Sequence, residues 1–341
     1  MAGYTGKERV TAAIKGETLD RIPMSFHIPK SHEMAGYTGL ECVLEPEKAL
    51  EAQKKAQELM RSDMVNVPGD PYLPTTMTTV AKVESGSAET PHRAPMLADK
   101  KAIEELEVRD PRGSKRYSKY LEMCGKTQEA FSDCWVLALN GAPWSIAAGL
   151  RGIEALIFDT REDPQFVHDL MKITVEISKI RGDALLDTGV ALMLGEPSAS
   201  CSVVSPKIFK EFILPYLSDL IDHFKSRDGL VDLHICGFND PNMDDIMTMN
   251  MDIFDADGPT SLENTVKISQ EQKKTAVRGN LSADLFHKGT AEEVDDAVKM
   301  SIELAGPSKG YILAQGCTIP YETPMENIEA FYNAGIKYGT Q

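Results

Sequence analysis

The strongest chemical pattern in the chain is a histidine and a cysteine two residues apart, His234 and Cys236, in the segment LVDLHICG. Side chains two apart on an extended strand point to the same face, so these two can bind one metal ion. Cys317 ends another apolar segment, GYILAQGC, and supplies a second thiol. Two thiolates and one imidazole suit Zn²⁺, and three protein ligands leave a fourth position for a substrate. The pattern predicts a catalytic zinc site, with a packed histidine beside a buried cysteine as the alternative.

Three further polar residues follow apolar segments. Glu196, in LGEPSAS, could complete the zinc shell, hydrogen-bond the substrate, or cap the following helix. Asp257 and Asn280 could orient a ligand or tie loops together. We assign Glu196 and Asp257 a catalytic role as the working hypothesis.

The other histidines and cysteines offer weaker patterns. His27 and His32 lie in an early loop, where solvent exposure or local hydrogen bonding is expected ahead of metal binding. The cysteines at positions 42, 124, 134 and 201 have no partner spacing, and packing is the better explanation for each.

Apolar segments alternate with helical ones through the second half of the chain. Such near-continuous apolar strands are typical of a parallel sheet covered on both faces. The predicted strands there are CWVLALNG, VALMLGEP, LVDLHICG, MDIFDADG, TAVRGN and GYILAQGC.

The position of the polar residues favours a barrel over a doubly wound sheet. They follow the carboxyl ends of many strands, as in (β/α)₈ barrels, whereas no G-x-G-x-x-G fingerprint occurs. We therefore predict a TIM barrel formed by residues 1–341 as one domain. The first 130 residues are less regular, with RIPMSFHI and DMVNVPGDPYL as candidate strands and an inserted segment around 85–112.

Composition restricts the range of partners. A formal charge of −16 argues against nucleic acid, because binding to phosphates depends on basic side chains. No apolar run approaches the roughly 20 residues that span a bilayer, and the amino terminus lacks the pattern of a signal peptide. A soluble, cytoplasmic protein is expected, with its oligomeric state left open and a homodimer as one option.

Several of these segments resemble the uroporphyrinogen decarboxylase superfamily, and within it the cobalamin-dependent methyltransferases. The resemblance covers most of the chain and is weakest at 30–130. It rests on KERVTAAIKGETLDRIP, NGAPWSIAAGLRG, GEPSAS, LHICG, GNLSADLFHKGTAEEV and AQGCTIPYETPMENIEAF. The H-x-C pair followed by a distant G-C is the zinc motif of the methyltransferase branch. Porphyrin decarboxylases carry an arginine-rich segment soon after the first strand, where this chain has SFHIPKSHEM.

The resemblance implies methyl transfer with zinc held by His234, Cys236 and Cys317. The preferred direction is from a methoxylated, aromatic substrate to the Co(I) corrinoid of a partner protein, with zinc as a Lewis acid. This chain shows no corrinoid-binding motif, so cobalamin is expected on that partner, docked over the barrel mouth. By position, the corrinoid is expected near Asn140, Trp144 and Asn280, and the substrate near Asn66, Asp70 and Tyr72.

Two alternatives stay open. In the first, zinc binds a thiol such as coenzyme M, which then attacks the methyl group of methylcobalamin. In the second, the chain is a noncatalytic barrel, or one similar to the decarboxylases.

Overall fold

Eight parallel strands form a closed barrel in the order β1 to β8, as predicted. The computed structural model describes residues 3–68, 95–272, 275–306 and 310–340. The strands are β1 (Met24–Ser25), β2 (Met64–Asn66), β3 (Trp135–Gly141), β4 (Ala191–Gly195), β5 (Val231–Ile235), β6 (Ile253–Ala256), β7 (Ala276–Leu281) and β8 (Tyr311–Gln315).

Helices follow the strands around the outside of the barrel. They are α1 (Gly6–Lys15), α2 (Ser31–Met34), α3 (Gly39–Leu44), α4 (Pro46–Met60), α5 (Lys115–Ala130), α6 (Pro143–Arg151), α7 (Ile153–Glu162), α8 (Pro164–Leu186), α9 (Pro206–Ile208), α10 (Leu214–Lys225), α11 (Met243–Ile246), α12 (Leu262–Gln272), α13 (Ala283–Lys288), α14 (Ala291–Ala305) and α15 (Met325–Gly339). A π-helical turn, Phe209–Ile213, joins α9 to α10. None of these helices, within the described ranges, is long and apolar enough to cross a membrane.

The first third of the barrel is the least regular, as the sequence predicted. β1 and β2 contain only two and three residues. Within the predicted insertion, residues 95–112 include the 3₁₀ turns Lys100–Glu105 and Pro111–Gly113. Its first part, 85–94, lies outside the described residues, so the extent of the insertion stays a prediction.

Alternate residues of each strand face the barrel interior and form stacked layers. The lowest layer is apolar and packs against Val10 and Ala13 of α1, which closes the amino-terminal end of the barrel. The strand residues of this layer are Met64, Leu137, Ala191, Ile253, Ala276 and Ile312. Polar and charged inward residues are therefore confined to the upper layers, nearer the carboxyl ends of the strands.

Ion pairs connect α1 and the segment after it to Asp63, which lies directly before β2. The Asp63 carboxylate accepts hydrogen bonds from Arg9 at 2.5 Å and from Arg21 at 2.7 and 2.9 Å. Arg9 also binds Asp20 through two contacts of 2.7 Å. Because Asp63 is buried, this cluster fixes the start of the barrel.

Candidate metal centre

Side chains from β5 and from the segment after β8 meet at the barrel mouth. His234 Nε2 lies 3.2 Å from Cys236 Sγ and 3.8 Å from Cys317 Sγ, and the two sulfurs are 3.9 Å apart. These three are the group of potential metal ligands found among the described residues, with all donor atoms within 4.8 Å of one another. The residues selected by sequence spacing are thus brought together by the fold.

The geometry of the three donors fits zinc. Tetrahedral Zn²⁺ with bonds of about 2.3 Å to sulfur and about 2.0 Å to nitrogen places its ligand atoms roughly 3.5–3.8 Å apart. The observed separations of 3.2 to 3.9 Å bracket that range. We conclude that these residues could hold a Zn²⁺ ion with one coordination position free.

A chain of buried charges lies beneath His234. Its Nδ1 is 3.0 Å from the Asp255 carboxylate, which is 2.6 Å from the guanidinium of Arg278. The same guanidinium is 3.0 Å from Asp232. All four residues face inward from β5, β6 and β7. The network fixes the orientation of the imidazole and leaves Nε2 directed at the two sulfurs.

Burial and neighbouring charges have opposite effects on the pKa values of these groups. Burial alone lowers the pKa of His234, but the Asp255 carboxylate raises it well above the ordinary value. Burial raises the pKa of Asp232 to about 7, against the opposing effect of Arg278. Arg278 thus forms ion pairs with two buried carboxylates, Asp232 and Asp255.

Replacing Asp255 by Asn tests this support of the imidazole. Loss of the carboxylate removes the partner of Nδ1, so we expect zinc affinity to fall roughly 10- to 100-fold. Competition with a chromogenic chelator measures this affinity. Asp284→Asn, on exposed α13, is the control, and equal affinities for both variants would contradict the assignment.

The two cysteines affect each other's pKa in opposite directions. Hydrogen bonds from Cys236 and from His234 lower the pKa of Cys317 to about 4. The pKa of Cys236 is raised, first by its hydrogen bond to Cys317 and then by burial. Zinc binding requires both sulfurs as thiolates, so it would release protons.

Asp257 holds the turn that follows Cys236. Its two carboxylate oxygens accept hydrogen bonds of 2.6 Å from the backbone N–H groups of Gly237 and Gly258. Gly237 has φ +79°, and a Cβ there would lie 2.7 Å from the Ser202 hydroxyl oxygen. The sequence analysis considered two roles for Asp257, orienting a ligand and tying loops together. Its contacts support the second role.

Glu196 is engaged as a helix cap. Its carboxylate accepts hydrogen bonds from the backbone N–H groups of Trp144 at 3.1 Å and of Ser145 at 2.6 Å, in the first turn of α6. The residue is fully buried, and burial raises its pKa to about 7. Both oxygens are thus bound to a helix that precedes Glu196 in sequence, rather than the helix that follows, and it is not in the ligand group.

The variant Glu196→Ala tests whether Glu196 caps α6 or binds the metal. Loss of the cap leaves two buried N–H groups unpaired, so we expect the free energy of unfolding to fall by about 1–3 kcal/mol. Urea denaturation measures the loss. Zinc content is expected to stay unchanged, and a variant of normal stability that lacks zinc would show that Glu196 is a ligand after all.

The residues predicted to face the corrinoid are occupied by structural contacts. Asn140 is fully buried and donates to the Ser178 carbonyl of α8 at 3.0 Å. Trp144 is equally buried, with its indole N–H bound to the Ser198 carbonyl. Asn280 donates to the Thr260 carbonyl at 2.5 Å. Asn140 and Trp144 are therefore buried in this structure, and a role of these residues toward the corrinoid stays a prediction.

A cavity of about 90 Å³ lies beside the ligand group. Asn66, predicted to bind substrate, lines it together with Cys317 and His234. Asp70 and Tyr72, the other two residues of that prediction, lie outside the described residues. His27 also lines this cavity, although the sequence placed it in a solvent-exposed or locally bonded loop. Its position two residues after the end of β1, at the carboxyl end of a barrel strand, was the signal that could have shown this.

Fold and site together define a (β/α)₈ barrel with a Cys₂His group of potential metal ligands at its mouth. The family model of uroporphyrinogen decarboxylase (URO-D) matches residues 5–338, and the chain belongs to this family. The resemblance inferred from sequence is thereby confirmed.

Similar proteins are methyltransferases of Methanosarcina mazei. The chain is 27% identical to a methylated-thiol–coenzyme M methyltransferase over 201 residues, which span 58% of this chain and about half, 52%, of that protein. It is 23% identical to the methylcobamide:CoM methyltransferase MtbA over 99% of both chains. A solved structure titled as a methyltransferase superposes with a TM-score of 0.84 at 21% identity, over 98% of this chain and 99% of that one.

The two curated relatives are methyltransferases, one of which is named for a methylcobamide, and this is the enzyme class that the sequence predicted for the present chain. The superposition confirms the fold. The names of the two curated relatives refer to coenzyme M, a thiol, and none of the three names refers to a methoxylated aromatic compound.

Proposed function

We propose that this protein is a zinc-dependent methyltransferase that moves a methyl group between a corrinoid carried by a partner protein and a small thiol. The observation that carries the proposal is the convergence of His234, Cys236 and Cys317 beside a cavity at the barrel mouth. Relatives that act on methylcobamide and coenzyme M support it.

The chemistry of the donor set favours a thiol. Two thiolates balance the charge of Zn²⁺ and form a soft site, which suits a sulfur ligand better than an ether oxygen. When bound, Zn²⁺ would supply the Lewis acidity that lowers the pKa of a substrate thiol. The protein's own residues position the ligands. Asp255 orients His234, and Asp257 fixes the turn after Cys236.

The size of the cavity supports the same choice. Its volume of about 90 Å³ is well below the roughly 300 Å³ at which sites for drug-sized ligands begin. A thiol of a few heavy atoms suits this space better than the methoxylated ring preferred from sequence. Both reactions use the same three ligands, so the experiment includes both.

The experiment combines metal analysis with two assays of the purified protein. We expect about one zinc per chain, and demethylation of free methylcobalamin when coenzyme M or 2-mercaptoethanol is added, followed at the cobalamin absorbance bands. Methylation of cob(I)alamin by methoxylated aromatics would instead establish the direction preferred from sequence. Protein without zinc and without either activity would favour a noncatalytic barrel.

A further inference from the structure

His27 faces the cavity from the end of β1. β1 ends at Ser25, which pairs with Ala314 of β8 and whose hydroxyl contacts Arg278 at 3.3 Å inside the barrel. His27 follows two residues later and lines the cavity together with His234 and Cys317.

One side chain ties His27 to the ligand segment. The Gln315 carboxamide oxygen accepts the backbone N–H of His27 at 2.9 Å, and its nitrogen donates to the Cys317 carbonyl at 3.2 Å. The position of His27 relative to Cys317 is therefore fixed by two hydrogen bonds through a single residue.

The imidazole of His27 has no partner in the part of the chain that the structure describes. The one hydrogen bond of His27 among the described residues is donated by its backbone N–H. Neither ring nitrogen is a fully buried polar atom without a partner. The other titratable groups lining the cavity are engaged. His234 and Arg278 contact Asp255, and Cys317 belongs to the ligand group.

We propose that His27 is a catalytic residue that accepts the proton of the substrate thiol. This inference rests on the proposed thiol reaction. The S–H bond breaks, its electron pair stays on sulfur, and the proton moves to a ring nitrogen of His27 and then to solvent. Sulfur uses that pair to form the bond to the methyl carbon, while the cobalt–carbon pair of methylcobalamin stays on cobalt as Co(I).

The state of the imidazole suits a proton acceptor. Burial lowers the pKa of His27 below the ordinary 6.5, so the ring is neutral at pH 7.

His27→Gln tests the proposal, since glutamine keeps the size and polarity but cannot accept a proton. With free methylcobalamin and saturating coenzyme M, we expect a kcat for wild type that changes little between pH 7 and 9. The variant should lose about 10²- to 10³-fold at pH 7. It should then regain about tenfold per pH unit as the thiol ionises without help.

His32→Gln is the matched control, because His32 lies in α2 with its ring against Tyr321 and is not among the residues that line the cavity. A His27→Gln profile that matches wild type, or one reduced equally at every pH, would overturn the proposal. His27→Asn guards against misfolding, and loss of zinc from both variants would show a structural role instead. Absence of thiol activity in the wild type would count against the proposed function itself.

Discussion

Cys317→Ala is expected to purify with little zinc and to lose measurable methyl transfer. Removing one of three ligands weakens zinc binding by about 4 kcal/mol, which corresponds to roughly a thousandfold. The remaining pair, His234 and Cys236, comes from one segment and cannot enclose a tetrahedral ion alone. Zinc per chain, measured by atomic emission after dialysis, and the rate with methylcobalamin and coenzyme M check this result.

Cys201→Ala is the matched control. Cys201 is partly buried, as Cys317 is, but it is not part of the ligand group. It should retain wild-type zinc and activity. A Cys317→Ala protein that keeps one zinc through dialysis would remove this residue from the ligand set.

Arg278→Met is expected to have the largest effect on stability. The guanidinium is buried and pairs with both Asp232 and Asp255, so its loss leaves Asp232 without a cationic partner and Asp255 with His234 alone. Breaking a buried pair by removing one partner costs about 3–5 kcal/mol. Urea denaturation should show a fall in the free energy of unfolding of that size.

The pH dependence of this loss has a definite sign. Without the arginine, burial and mutual repulsion raise the folded-state pKa values of the two carboxylates above their unfolded values. Folding then takes up protons, and stability falls as pH rises through the raised pKa values. The variant should therefore be closer to wild type at pH 5 than at pH 8.

Arg227→Met provides the comparison on the surface. Arg227 pairs with Asp183 and Asp187, but all three are partly exposed to solvent. Such pairs contribute about 0–1 kcal/mol. If the two arginine variants lost equal stability, the buried network would not have the importance we assign to it.

The later strands and the ligands could be predicted because their signals are local. All six apolar segments predicted after residue 130 became strands, since each is bounded by glycine or polar residues and is covered on both faces. His234 and Cys236 share a face by simple alternation, and Cys317 follows a strand end. The short β1 and β2 were harder, because two or three paired residues leave little periodicity to detect.

The support beneath the ligands depends on register between strands that are distant in sequence. Asp232, two residues before His234, could have been placed on its face by alternation. Its partner Arg278 comes from β7, and no local pattern indicates that pairing. The capping contacts of Glu196 could not be predicted for the same reason, since they are made with α6, a helix that precedes it in sequence.

The apolar layer closed by α1 has a consequence for the charges above it. Mobile ions of the solvent cannot reach Arg278 and its carboxylates from below, where Val10 and Ala13 fill the barrel. Attraction within this buried group should therefore be nearly independent of ionic strength, whereas exposed pairs weaken as salt shortens the screening length to about 3 Å at 1 M. A cation that binds at the mouth therefore lies above an electrostatic field that changes little with salt concentration. Association with a partner protein through the chain's formal net charge of −16 would, in contrast, weaken as the salt concentration rises.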